Sequence, residues 1–173
     1  MSRYSILFIG VFLLLLSTLS FVNIIYSYYF NLYLNVNNYL PTLFLSLFLG
    51  LCFFLAKKSF ELDIFKKIFI VLIGYVTIPI LIAIPFYLSL YNITIVDSYF
   101  EAISGFTSTG FTLFENIKHL DQSLILWRST SQWIGGLYFL FSIILLIDIF
   151  DENLKKSLTN FLSFDSSEFL KQS

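Results

Sequence analysis

Long, nearly unbroken runs of apolar side chains constrain this chain more than any other feature. Residues 4–30, 40–56 and 68–91 are apolar almost throughout. A helix needs roughly 17 to 25 such residues to cross the hydrocarbon core of a bilayer. The second run, with 17 residues, stands at the lower edge of that range. Composition agrees: the chain is 58% hydrophobic and 12% charged, with a mean hydropathy of +0.85. The runs predict an all-α integral membrane protein, because a helix bonds its own backbone where no water is available to do so.

The first run opens after Arg3 with the apolar block 6–16. A secretory signal core is about 7 to 15 residues long. This run instead continues through Ile24 and Ile25 without a small-x-small cleavage site, so it is expected to be a span with its N-terminus inside. Asn31 to Tyr39 is uncharged, and Pro41 opens the second run, where a first helical turn tolerates it. Residues 1–56 are thus expected to form a two-helix membrane hairpin. Residues 57–67, with Lys57, Lys58, Lys66 and Lys67 at the two ends, read as a cytoplasmic loop. The third span carries Gly74, Pro79 and Pro85, and each internal proline removes a helical hydrogen bond and tends to kink the helix. Asp121 is placed to cap a fourth helix over 122–150, followed by a charged cytoplasmic tail, 151–173.

Charge placement tests this topology. Arg3, Lys57, Lys58, Lys66, Lys67, Lys155, Lys156 and Lys171 fall inside, and Lys118 and Arg128 outside, eight against two of the 10 basic residues. That asymmetry follows the positive-inside rule. It requires four transmembrane helices, both termini in the cytoplasm, and a stretch between the third and fourth that enters and leaves from the outer face. Tyr26, Tyr28, Tyr29 and Tyr33 sit at run ends, as interfacial aromatic belts do. The net charge of −1 gives nucleic acid no basic stripe to bind. Cys52, the only cysteine, excludes an internal disulfide and a thiolate metal cluster.

The re-entrant stretch is 97–112. Ser98 and Glu101 have capping-box spacing, with Asp97 an alternative cap, so a short helix is expected from Asp97 towards Ser104, stopped at Gly105. A helix of about ten residues is too short to cross and marginal alone. Entering from outside, it would point its C-terminus, with roughly half a negative charge, at the membrane centre, where cations are favoured. The turn Thr107-Ser108-Thr109-Gly110 that follows has hydroxyls to support irregular backbone and a glycine where unusual angles are least costly. Such a turn could aim carbonyl oxygens into a water-filled path. In an exposed loop the same residues would simply bond to nearby backbone, but here they stand between membrane helices, where irregular backbone calls for a functional reason.

Arg128 is read as structural support, snorkelling or pairing with Glu101 or Asp97, and Gly135 and Gly136 as close-packing residues behind the turn. His119 has no second ligand nearby and reads as a loop residue, not a metal site. Asp148 and Asp151 stand where a helix leaves the membrane, and Asn92-Ile93-Thr94 matches a glycosylation sequon that matters only in a secretory eukaryotic host. No nucleophile, phosphate loop or paired-histidine motif suggests an enzyme.

Asp97, Phe100, Glu101, the run Ser104-Gly105-Phe106-Thr107-Ser108-Thr109-Gly110, Trp127-Arg128 and Gln132-Trp133-Ile134-Gly135-Gly136 together resemble the first pore repeat of the Trk/Ktr/HKT potassium transporter superfamily, most of all its bacterial TrkH-type subunits. The resemblance covers residues 68–150, and the two preceding spans resemble the extra N-terminal pair of that branch. It implies potassium uptake across the bacterial inner membrane, with helix, pore helix, filter and helix repeated four times around one path. Backbone oxygens of Thr107, Ser108, Thr109 and Gly110 would line it, with potassium as cargo and no cofactor. Ser108 stands where the family often has Thr, and Phe111 where a smaller residue is common. Only one Thr-x-Thr-Gly occurs in the chain, so the other walls are expected from a continuing chain, a neighbouring chain or oligomerisation. The resemblance also implies a cytosolic nucleotide-binding regulatory partner at the inner face. The alternative is a non-conducting scaffold or remnant that assembles with a partner.

Overall fold

The computed structural model describes residues 5–55, 64–115 and 120–169, and among them every regular element is helical. The order is α1 (Ser5–Tyr29), a 3-10 turn (Val36–Tyr39), α2 (Leu40–Leu55), α3 (Ile64–Ser89), α4 (Ile95–Phe106) and α5 (Gln122–Phe169). Among the described residues three segments are long and apolar enough to cross a membrane: Leu7–Tyr29, Val36–Leu55 and Phe65–Ser89. The chain divides into two compact units, Met1–Phe139 and Leu140–Ser173. The second is helical through Phe169.

The first unit buries small polar residues beside its apolar core and turns large apolar side chains outward. Small polar residues Ser17, Ser20, Asn23, Thr42 and Ser46 are inside, while Phe21, Phe48 and Phe69 are 55%, 65% and 64% exposed. Lipid solvates apolar rings as well as a core does, so helix contact falls to small and hydrogen-bonding side chains. Thr42, Ser46 and Gly50 form one such stripe along α2, at a spacing of four. On α1, Ser17 Oγ donates to the Leu43 carbonyl at 3.3 Å and Ser20 Oγ to that of Tyr39 at 2.9 Å.

After α1, Asn31 takes a left-handed φ of 57°, and the Leu32 amide reaches back to the Ser27 carbonyl at 2.8 Å. Asparagine is the residue besides glycine that commonly accepts this closing geometry. In α3, Pro79 and Pro85 lie within one continuous helix. Pro85 has no amide to offer the Leu81 carbonyl four residues earlier, and Thr42 Oγ1 of α2 donates to that oxygen at 3.1 Å.

Two boundaries differ from the sequence expectation. α3 begins at Ile64, so Lys66 and Lys67 belong to its first turn and not to a loop; Lys57 and Lys58 lie outside the described residues, as do Arg3, Lys118, His119 and Lys171. α5 does not end at Phe150 but runs to Phe169. The chain has no glycine or proline after Gly136, so no breaker opposes the helix.

Candidate functional site: a return turn braced by a buried ion pair

The site is built around α4 and the segment that folds back along it. α4 starts at Ile95, two residues before the expected Asp97, because Thr94 is the N-cap: its hydroxyl accepts from the Asp97 amide at 3.2 Å, and Asp97 Oδ2 accepts from the Thr94 amide at 3.2 Å. This is a capping box one turn upstream of the expected one. Ser98 and Glu101 therefore lie inside the helix and do not cap it. Ser98 Oγ donates to the Thr94 carbonyl at 2.9 Å. The Thr94-x-x-Asp97 spacing is visible in the sequence, and the adjacent Ser98-x-x-Glu101 competes with it on equal terms.

Gly105 does not stop α4, which ends at Phe106. Its missing side chain serves packing instead, since a Cβ there would overlap Ser131 Oγ on α5. Termination comes from Ser108, left-handed at φ 57°. The Ser108 amide bonds to the Gly105 carbonyl at 2.9 Å and the Thr109 amide to that of Ser104 at 3.0 Å, the paired bonds of a Schellman ending. The Thr107 amide and Oγ1 both reach the Ile103 carbonyl at 2.8 Å. The Ile103, Ser104 and Gly105 carbonyls near the end of α4 are thus occupied by the turn itself. The helix dipole remains, but oxygen ligands would have to come from the turn.

Thr107, Ser108, Thr109 and Gly110 are all exposed. The Thr107 and Thr109 hydroxyls bond to each other at 2.7 Å, and Gly110 has φ +80° with nothing within 4 Å of where a Cβ would be. The backbone then runs back along α4. Ser104 Oγ donates to the Phe111 carbonyl at 2.6 Å, and Glu101 Oε1 accepts from Thr112 Oγ1 at 2.8 Å and from the Leu113 amide at 2.5 Å.

α5 braces this return from behind. Arg128 Nη1 pairs with Glu101 Oε2, and Nη2 donates to the carbonyls of Gly110 at 3.2 Å and Phe111 at 3.1 Å. Further along α5, the Gln132 carbonyl accepts from Ser108 Oγ at 3.4 Å, and a Cβ on Gly135 would overlap the Phe106 carbonyl. Positions 128, 132 and 135 thus meet positions 110–111, 108 and 106 in descending order, so the return segment and α5 run antiparallel. Gly136, by contrast with Gly135, is exposed and open. The start of α5 is fixed in turn: Trp127 Nε1 donates to the Ile82 carbonyl at 3.0 Å, Tyr39 Oη to Ser123 Oγ at 3.1 Å, and Asn35 Nδ2 to Asp121 Oδ2 at 2.7 Å.

α4 and α5 therefore hold one exposed turn, while residues of the N-terminal segments and of α3 fix the start of α5. A cation transporter of Methanocaldococcus jannaschii, itself uncharacterized, is 36% identical to the chain over 112 residues, 65% of this chain and 23% of that one. The Trk system potassium uptake protein TrkI of Halomonas elongata is 34% identical over 38% of the chain, and TrkH of Escherichia coli K12 33% identical over 47%. Over about half its length the chain is homologous to the Trk proteins. It covers only 13% and 17% of the length of TrkI and TrkH, so the Trk likeness is to a part of those proteins. No family model matches the chain. The relatives are transport proteins by name, not enzymes.

Proposed function

We propose that this Trk-related chain supplies one wall of a potassium path across the cytoplasmic membrane, with Thr107–Gly110 as its filter segment. The observation that carries the reading is the exposed turn itself: irregular backbone with two left-handed residues, held from behind by a buried arginine and carboxylate. A buried ion pair is a costly device, and an ionisable pair among membrane helices is by default a candidate for function. α4 and the return segment would form a re-entrant element between the third and fourth of four spans, both termini being cytoplasmic on the basic-residue count.

In this arrangement the carbonyls of Thr107, Ser108 and Thr109 replace water around a dehydrated potassium ion. The Gly110 carbonyl already accepts from Arg128, and a carbonyl oxygen has a second lone pair to offer. Potassium is cargo and no cofactor is needed. A ring of oxygens requires further filter segments, from a continuing chain, a neighbouring chain or other copies, and a cytosolic nucleotide-binding subunit would regulate the assembly.

Potassium uptake by cells expressing the intact locus, compared with a Gly110→Ala version at equal membrane abundance, tests the reading. Uptake should fall severalfold. Unchanged rate and selectivity would leave the chain a non-conducting scaffold.

A further inference from the structure

We infer that Gly136 sets the width of the ion path at the inner end of the filter segment. This rests on the filter reading above. Gly135 and Gly136 are neighbours in opposite circumstances. A Cβ on Gly135 would overlap the Phe106 carbonyl, whereas a Cβ on Gly136 would meet Ser108 Oγ at 4.0 Å, an ordinary van der Waals distance. Packing within the chain therefore accounts for the first glycine and leaves the second unexplained.

The space in front of Gly136 is what distinguishes it. Ser108 is the left-handed residue at which the return begins, and its hydroxyl bonds to Gln132, one turn before Gly136 on α5. A side chain at position 136 would thus stand against the exposed start of the filter turn. Its neighbours three residues to either side, Trp133 and Phe139, are large and are 57% and 58% exposed. Gly136 makes a gap between two rings at the height of Ser108.

That gap has a use in conduction. A cation leaving a ring of carbonyls must regain water, and an apolar constriction at that point opposes it by dewetting. Bare helix backbone leaves room for the hydration shell; a branched side chain beside two aromatic rings would remove it.

The experiment is a size series, Gly136→Ala, Gly136→Val and Gly136→Leu, expressed from the intact locus, with potassium uptake measured at equal membrane abundance. The maximal rate should fall stepwise, to about a tenth for Leu, while the half-saturating potassium concentration stays within about twofold because the filter oxygens are untouched. In parallel, in inside-out membrane vesicles, where the reagent need not cross the filter, potassium flux through Gly136→Cys in a Cys52→Ser background should be blocked by a small cationic thiol reagent, more slowly at saturating potassium. A Leu variant as fast as the parent, or an introduced thiol that the aqueous reagent does not reach, overturns the inference. If Gly110→Ala abolishes uptake and Gly136→Leu does not, this inference alone fails; if both are silent, the filter reading fails with it.

Discussion

Arg128 of α5 and Glu101 of α4 pair with side chains 8% and 0% exposed, and each also holds the backbone that returns from α4. Glu101 takes the Thr112 hydroxyl and the Leu113 amide, and Arg128 takes the Gly110 and Phe111 carbonyls. The pair is thus a four-point clamp whose own hydrogen-bonding capacity is used by the segment it fixes. Buried charges are tolerated when they are matched and bonded in this way.

Removing one partner should be far worse than removing both. Glu101→Gln leaves a buried guanidinium uncompensated beside the turn, at a cost of about 3 kcal/mol, and places an unbalanced positive charge beside the proposed cation path. Glu101→Gln combined with Arg128→Met should regain much of the stability but not the uptake, because the Gly110 and Phe111 carbonyls lose their donor. Thermal unfolding of purified protein in detergent, read beside potassium uptake, separates the two effects. Equal destabilisation by single and double variants would refute the clamp.

The start of α4 offers a cleaner contrast. Thr94 caps the helix through the Asp97 amide, whereas Ser98 bonds back to the Thr94 carbonyl within the first turns. Thr94→Ala should cost about 1 kcal/mol, the usual loss for an N-cap hydroxyl. Ser98→Ala should cost less than half of that. The reverse order in thermal melts would restore the capping box to Ser98 and Glu101.

Packing at the end of α4 makes Gly135 intolerant of any side chain. A Cβ would fall on the Phe106 carbonyl, which is backbone and cannot swing aside. Gly135→Ala should therefore force α4 and α5 apart, destabilising by about 1 to 3 kcal/mol as overpacking does. Gly105→Ala meets the Ser131 hydroxyl instead, a side chain that can rotate, and should be milder. Melts of the two variants, with uptake as a second readout, check the order.

These contrasts mark what was legible in the sequence and what was not. Apolar runs locate α1, α2 and α3 to within a few residues, since length and hydropathy alone decide whether a helix can lie in lipid. The Thr107–Gly110 turn is legible because glycine and hydroxyl residues between membrane helices are out of place unless something requires them. The sequence reading misses Thr94 as the cap in favour of Ser98 or Asp97, because Thr94-x-x-Asp97 and Ser98-x-x-Glu101 share one spacing and only the folded backbone separates them. Nor could spacing show that Gly105 packs against Ser131 while Ser108 ends the helix: a serine in the left-handed region pays a steric penalty that only tertiary bonds, here to Gln132, offset. Arg128 had two acidic candidates, and three-dimensional proximity selects Glu101.

The two left-handed residues of the turn allow strain to be separated from sterics. Gly110 has φ +80° and open space around the position of a Cβ, so Gly110→Ala meets no atom and suffers only the backbone cost of that conformation, about 1 to 2 kcal/mol. A turn that relaxes to avoid this cost redirects its carbonyls. Gly110→Ala should accordingly lower uptake severalfold with little change in melting temperature, and Gly110→Asn, which accepts the left-handed region more readily, should keep more of the rate. Ser108→Gly relieves strain at φ 57° but gives up the Gln132 bond, so its melting temperature should stay within a few degrees of the parent while the turn gains freedom and selectivity for potassium over sodium declines. Uptake and ion competition measured on the three variants form the check. Equal loss with Ala and Asn would mean that residue 110 acts through the absence of a side chain, and not through its backbone angle.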